Sequence, residues 1–133
     1  MEMKVYFPGG KRVYVDYNGF THQTDQPLDN GGDGSAPAPF ELFLASMGTC
    51  AGIYVLGFCR QRGIDATGIE LVQRMDVDPA THRLREVKIE IRLPKTFPEK
   101  YAAAAVSAAQ LCLVKKTIEQ PPVFSVTSVL QQA

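Results

Sequence analysis

Apolar and polar positions alternate with a period of two over residues 11–17, where Val13 and Val15 are interleaved with Tyr14 and Asp16. That alternation predicts a half-buried strand. A β-rich run at 4–7 precedes it across Pro8-Gly9-Gly10, and Asn18-Gly19 turns the chain into a short run at 20–24. The first 24 residues therefore predict a three-stranded meander. The clearest alternation comes later: Val87, Ile89, Ile91 and Leu93 are interleaved with Lys88, Glu90 and Arg92. This predicts a strand over 83–93 with one wet face, joined to a strand over 68–76 by the turn Asp78-Pro79-Ala80-Thr81.

The pattern changes completely between Leu42 and Cys59, which carries no charge on any side. Pro37 and Pro39 precede it, Glu41 suits a helix start, Arg60 and Arg62 suit a helix end, and Gly63 is a C′ glycine. A helix over 39–61 follows, roughly 33 Å long. The uncharged stretch is long enough for a membrane span. Its glycines, Ser46, Thr49 and cysteines dilute it, and its neighbours read as amphipathic strands, so a buried central helix is the expectation. A small chain cannot cover such a helix on every side alone, which predicts a second subunit over part of it. A second helix opens at Pro98-Glu99, with Tyr101, Ala105, Ala108 and Cys112 on one stripe. A bend near Cys112 is left open, Pro121-Pro122 stops the helix, and 123–129 reads as a last strand. Grouped strands and helices predict an α+β fold with antiparallel sheet.

The chain has 133 residues and a formal net charge of zero, which fits one domain over 1–133 and argues against a nucleic-acid partner. The opening MEMKVYFPGG lacks a signal-peptide pattern, and three cysteines make no secreted disulfide framework. A reducing cytoplasm, with no membrane, is the expectation. The loop at 25–39 is about 15 residues, longer than usual connections. Its acidic run lacks the ligand spacing of a calcium loop. His22 and His82 show no zinc spacing, and no serine elbow or phosphate loop is present.

The remaining chemistry belongs to cysteine. Cys50 lies mid-helix between Gly48 and Gly52, and Cys112 lies at the end of the second helical stripe. A cysteine in apolar sequence is usually packing. Its own helix start is too far away to activate Cys50, and no cation is near it in sequence. The glycines bare the helix surface around the sulfur, for a substrate or for a crossing helix. Cys59 falls on the opposite side and reads as packing.

GGDGSAPAPFELFLASMGTCAGIYV resembles the loop, Pro-x-Glu, Leu-rich helix and cysteine motif of the OsmC/Ohr family, the osmotically induced and organic-hydroperoxide-resistance proteins. SAAQLCLVKKTI is similar to its second cysteine motif. The resemblance covers essentially the whole chain. It implies an intertwined homodimer with antiparallel sheets wrapped around long central helices, and cofactor-free, thiol-dependent reduction of organic hydroperoxides. Cys50 would be the attacking thiol and Cys112 the resolving one, with an external dithiol as reductant. Phe40 stands directly after the proline, where better-studied hydroperoxide-resistance members have Glu; the acid here is Glu41, a half-turn out of phase with Cys50. Arg12 matches the family arginine loosely. These departures place the chain nearer the OsmC-like branch, where a non-catalytic dimer binding a small hydrophobic ligand is the alternative.

Overall fold

The computed structural model describes residues 1–132. The chain is α+β, with antiparallel sheets throughout. It divides into two units, Met1–Ser46 and the remainder from Met47.

In the first unit, β1 (Lys4–Gly9), β2 (Arg12–Tyr17) and β3 (Phe20–Thr24) form the predicted meander in the order β1-β2-β3. Val5 faces Val15 and Tyr14 faces Gln23 across the two ladders. Asn18 and Gly19 both take positive φ at the β2–β3 turn, as a two-residue hairpin requires. The following loop is built around one buried side chain. The Asp25 carboxylate accepts hydrogen bonds from the Ser35 hydroxyl (2.6 Å) and from the backbone N–H groups of Gln26, Asp33 and Ser35. These donors hold the Asp25 carboxyl at about 2, well below the usual carboxylate range; the Ser35 hydroxyl is the largest cause. Close backbone approach explains one glycine here: a methyl on Gly32 would overlap the carbonyl of Gln26.

Helix α1 (Pro39–Gln61) has the predicted boundaries. Pro39 occupies the first helical position, and Glu41 reaches back to accept the backbone N–H of Ala38 at 2.8 Å. That is the second half of a capping box. At the other end Gly63 takes φ +64, and its N–H donates to the carbonyl of Arg60.

In the second unit, Met47, Ala51, Val55, Phe58 and Cys59 form the buried stripe of α1. β4 (Glu70–Val77) pairs with β5 (Leu84–Arg92), with Leu71 opposite Ile91 and Met75 opposite Val87. Arg85 grips Asp76 with two hydrogen bonds of 3.0 Å and so closes the β4–β5 turn. The core joins Val55, Phe58 and Cys59 to Phe97 and Ala105, with Leu71, Ile91 and Tyr101 packed around them. Burying an aliphatic or phenyl side chain contributes about 1.5–3 kcal/mol relative to leaving it in water.

The bend left open near Cys112 is present, and one expectation needs correction. A 3₁₀ turn at Glu99–Tyr101 leads into α2 (Ala102–Ala109), and α3 (Leu113–Glu119) starts afresh after Cys112. The new start arises because Cys112 leaves the helical region (φ −47, ψ 124) and caps α3 with its own sulfur. The expected last strand is absent, since residues 121–132 form no helix or strand. A strand needs a ladder partner, and Val123, Val126 and Leu130 are each more than nine-tenths exposed.

Candidate functional site

Cys50 is half-buried on α1 and Cys112 is 3 % exposed at the cap of α3. The fold makes them neighbours: each thiol acts on the other's proton affinity, Cys112 lowering Cys50 and Cys50 raising Cys112. The backbone N–H groups of Val114 and Leu113, the first residues of α3, also act on Cys50. The Cys112 sulfur accepts the backbone N–H of Lys115 at 3.5 Å.

These neighbours separate the two proton affinities. Burial pushes the Cys50 thiol up, but the N–H of Val114, the Cys112 thiol and the N–H of Leu113 together outweigh it, and its pKa falls below the ordinary thiol value. Burial also pushes the Cys112 thiol up; the N–H of Lys115 offsets this only partly, and the neighbouring Cys50 raises it further. Of the two, Cys50 gives up its proton more readily and Cys112 holds its proton more tightly. The third cysteine, Cys59, is fully buried and raised by burial alone, which makes it inert.

Two features surround the pair. The glycines flanking Cys50 differ: a methyl on Gly48 would press on the Gln73 side chain from β4, whereas Gly52 faces open space. An apolar groove of about 290 Å³ runs past Cys112, lined by Met47, Ala51, Val87, Ile89 and Ile118, with Lys115 also on its wall.

The other two sequence candidates belong to the first unit and have partners there. Arg12 donates to Asp33 at 2.7 Å and to Ser35 at 3.2 Å, tying β2 to the loop that Asp25 organises. Glu41 is engaged with Ala38. The groups that sequence reasoning missed are the amides of Leu113, Val114 and Lys115. They are main-chain donors, so no side-chain motif announces them. The one available signal was the possible bend near Cys112, since a helix restarting there points its free N–H groups back toward the cysteines.

The sequence profile of the family described as OsmC-like protein matches residues 32–127, well over half of the chain and including both cysteines. The chain belongs to the OsmC-like family. Among solved structures, this OsmC-like protein is similar to an osmotic stress induced and detoxification response protein from Psychrobacter arcticus, with 26% identity and a TM-score of 0.75 over 86% of this chain and 85% of that one. It shares its fold with an organic hydroperoxide resistance protein OsmC from Legionella pneumophila (18% identity, TM-score 0.54, 88% and 87% covered). It also shares it with an organic hydroperoxide resistance protein from Vibrio cholerae that has captopril bound in one of its active sites (16%, 0.63, 91% and 86%). No curated protein matches it.

Proposed function

We propose that this OsmC-like protein is a thiol peroxidase that reduces organic hydroperoxides with Cys50 and Cys112, in defence against oxidative stress. One observation carries the reading: the two cysteines are neighbours whose proton affinities are shifted in opposite directions, Cys50 down and Cys112 up. That is the division a two-cysteine cycle needs. The Cys50 thiolate attacks the terminal hydroperoxide oxygen, the O–O bond breaks, and the departing alkoxide takes a proton from water to leave as the alcohol. The Cys50 sulfenic acid then condenses with the Cys112 thiol, releasing water and forming a disulfide. An external dithiol reduces the disulfide and is itself oxidised. The stress and hydroperoxide-resistance names of its structural neighbours support the same reading.

The working form is a homodimer in this proposal. Ile53 on α1 is 59 % exposed with Gly52 and Gly57 open nearby, and the apolar arm over 123–130 is bare. Both call for a second copy. A cytoplasmic location suits a cycle that draws on dithiols.

The test is dithiol-dependent consumption of cumene hydroperoxide. Activity should vanish in Cys50→Ser, and Cys112→Ser should stop at a sulfenic acid that dimedone traps. Full activity in Cys50→Ser overturns the mechanism. The groove beside Cys112 favours one second reading, a non-catalytic binder of a small hydrophobic ligand. An unreactive Cys50, together with saturable binding of an apolar fluorophore, would select it.

A further inference from the structure

We propose that α3 is a lid that the reduced cysteines latch and the disulfide releases. The inference builds on the peroxidase reading above. Helix α3 has seven residues and none of them is buried. A helix this short does not hold itself together in water, so its end contacts decide whether it forms. Its first turn is tied to the two cysteines. The Cys112 N–H donates to Ala109 and that of Lys115 donates to the Cys112 sulfur, while the N–H groups of Leu113 and Val114 act on Cys50. Three of the first four amides thus meet the two sulfurs that change during the reaction.

In the reduced state the Cys112 sulfur caps α3, and Cys50, the more acidic thiol of the pair, becomes a strong acceptor for the neighbouring amides once ionised. Oxidation removes the charge. The hydroperoxide takes two electrons from the pair and leaves as alcohol, the condensation expels water, and the product is a neutral disulfide, whose sulfurs accept hydrogen bonds only weakly. Geometry adds to this. A disulfide closes the sulfurs to about 2 Å, which draws Cys112 toward Cys50 and away from a Lys115 bond that is already long at 3.5 Å. Leu113, Val114 and Lys115 then lose their acceptors together, and the first turn of α3 opens.

The release has a use. Lys115, Ile118 and Glu119 of α3 line the groove that contains Cys112, facing Met47, Val87 and Ile89. Cys112 is buried in the reduced protein, yet its disulfide must be reached by a dithiol whose thiolate attacks one sulfur while its second thiol completes the exchange. Opening α3 exposes the disulfide only when there is one to reduce. Reduction restores both acceptors and the helix refolds.

Amide hydrogen exchange over 113–119 tests this, on full-length protein in three states: reduced, oxidised with one equivalent of cumene hydroperoxide, and oxidised with diamide. Mass spectrometry establishes the Cys50–Cys112 bond in each. The lid requires exchange over 113–119 to rise about tenfold or more in the disulfide form, with β4 and β5 unchanged. A verified disulfide with unchanged exchange overturns the lid and leaves the peroxidase reading standing. A disulfide formed by diamide alone, with α3 released, removes the peroxidase reading and keeps the lid. If neither reagent joins the two cysteines, both fall. In the reduced protein, Cys112→Ala should raise exchange over 113–119 and Cys112→Ser, which keeps an acceptor, should not; equal protection in the two variants overturns the latch.

Discussion

The backbone N–H of Lys115 donates to the sulfur of Cys112 at 3.5 Å. The same sulfur neighbours Cys50 and lowers its proton affinity. A helix start is therefore linked to Cys50 through a second cysteine.

Cys50 should alkylate fastest of the three cysteines, with a rate midpoint lower than that of Cys112 or Cys59. Cys112→Ser keeps a hydrogen-bond donor and should preserve that midpoint, while Cys112→Ala should raise it. The stability sign follows from the shift. A lowered Cys50 pKa contributes stability above the unfolded thiol pKa, and that contribution fades as pH falls through the folded value. Iodoacetamide rates between pH 5 and 10, in wild type and both variants, check this. Cys59 should stay unmodified throughout.

Asp25 makes the first unit acid-sensitive. Its carboxyl sits at about 2 in the fold, against about 3.9 when unfolded. Its contribution is complete above the higher value and disappears as pH falls toward the lower one. Asp25→Asn should lower the melting temperature at pH 7 and flatten its pH dependence between about 4 and 2. Thermal melts across that range, with limited proteolysis of 25–39 as a local readout, measure both effects.

Glu41 should behave as a helix-capping residue. Removing its bond to Ala38 in Glu41→Ala should cost about 0.5–1 kcal/mol. Peroxide turnover per folded molecule should hold, and Glu41→Gln, which still accepts the N–H, should recover most of the stability. Urea melts paired with turnover separate the two quantities. A large fall in turnover in both variants would make Glu41 a participant in the chemistry.

The open α1 face provides a test of assembly. Gly52→Leu and Gly57→Leu each place a side chain into open space in the isolated chain, so neither should unfold it. Both should weaken the dimer if two copies of α1 meet there, seen as concentration-dependent elution on sizing chromatography. Unchanged elution places the contact elsewhere.

The legible parts of the fold were those with one-dimensional signals. Val87 to Leu93 declared β5 by alternation, and Pro39 with Gly63 bracketed α1 to the residue. The last strand misled because the β-branched content of 123–129 (Val123, Val126, Thr127, Val129) reports what a segment can pair with, not whether a partner lies within the same chain. The site was half legible. Cys50 and Cys112 stood out as residue types, and their contact required the chain to break after Ala109, which no proline or glycine marks. Glu41 was legible as a helix-start residue, and it accepts the N–H of Ala38 there; the role suggested for Arg12 came from resemblance, whereas the fold commits it to Asp33 and Ser35.

Activation by main-chain amides places an unusual rule on which substitutions the site can absorb. Leu113, Val114 and Lys115 supply only their N–H groups to the sulfurs, so nineteen residue types deliver the same donor there. Proline is the exception, because it has none. A mutational scan should find these three positions permissive to size, charge and polarity, and intolerant of one imino acid. Drift in their side chains would leave the chemistry untouched.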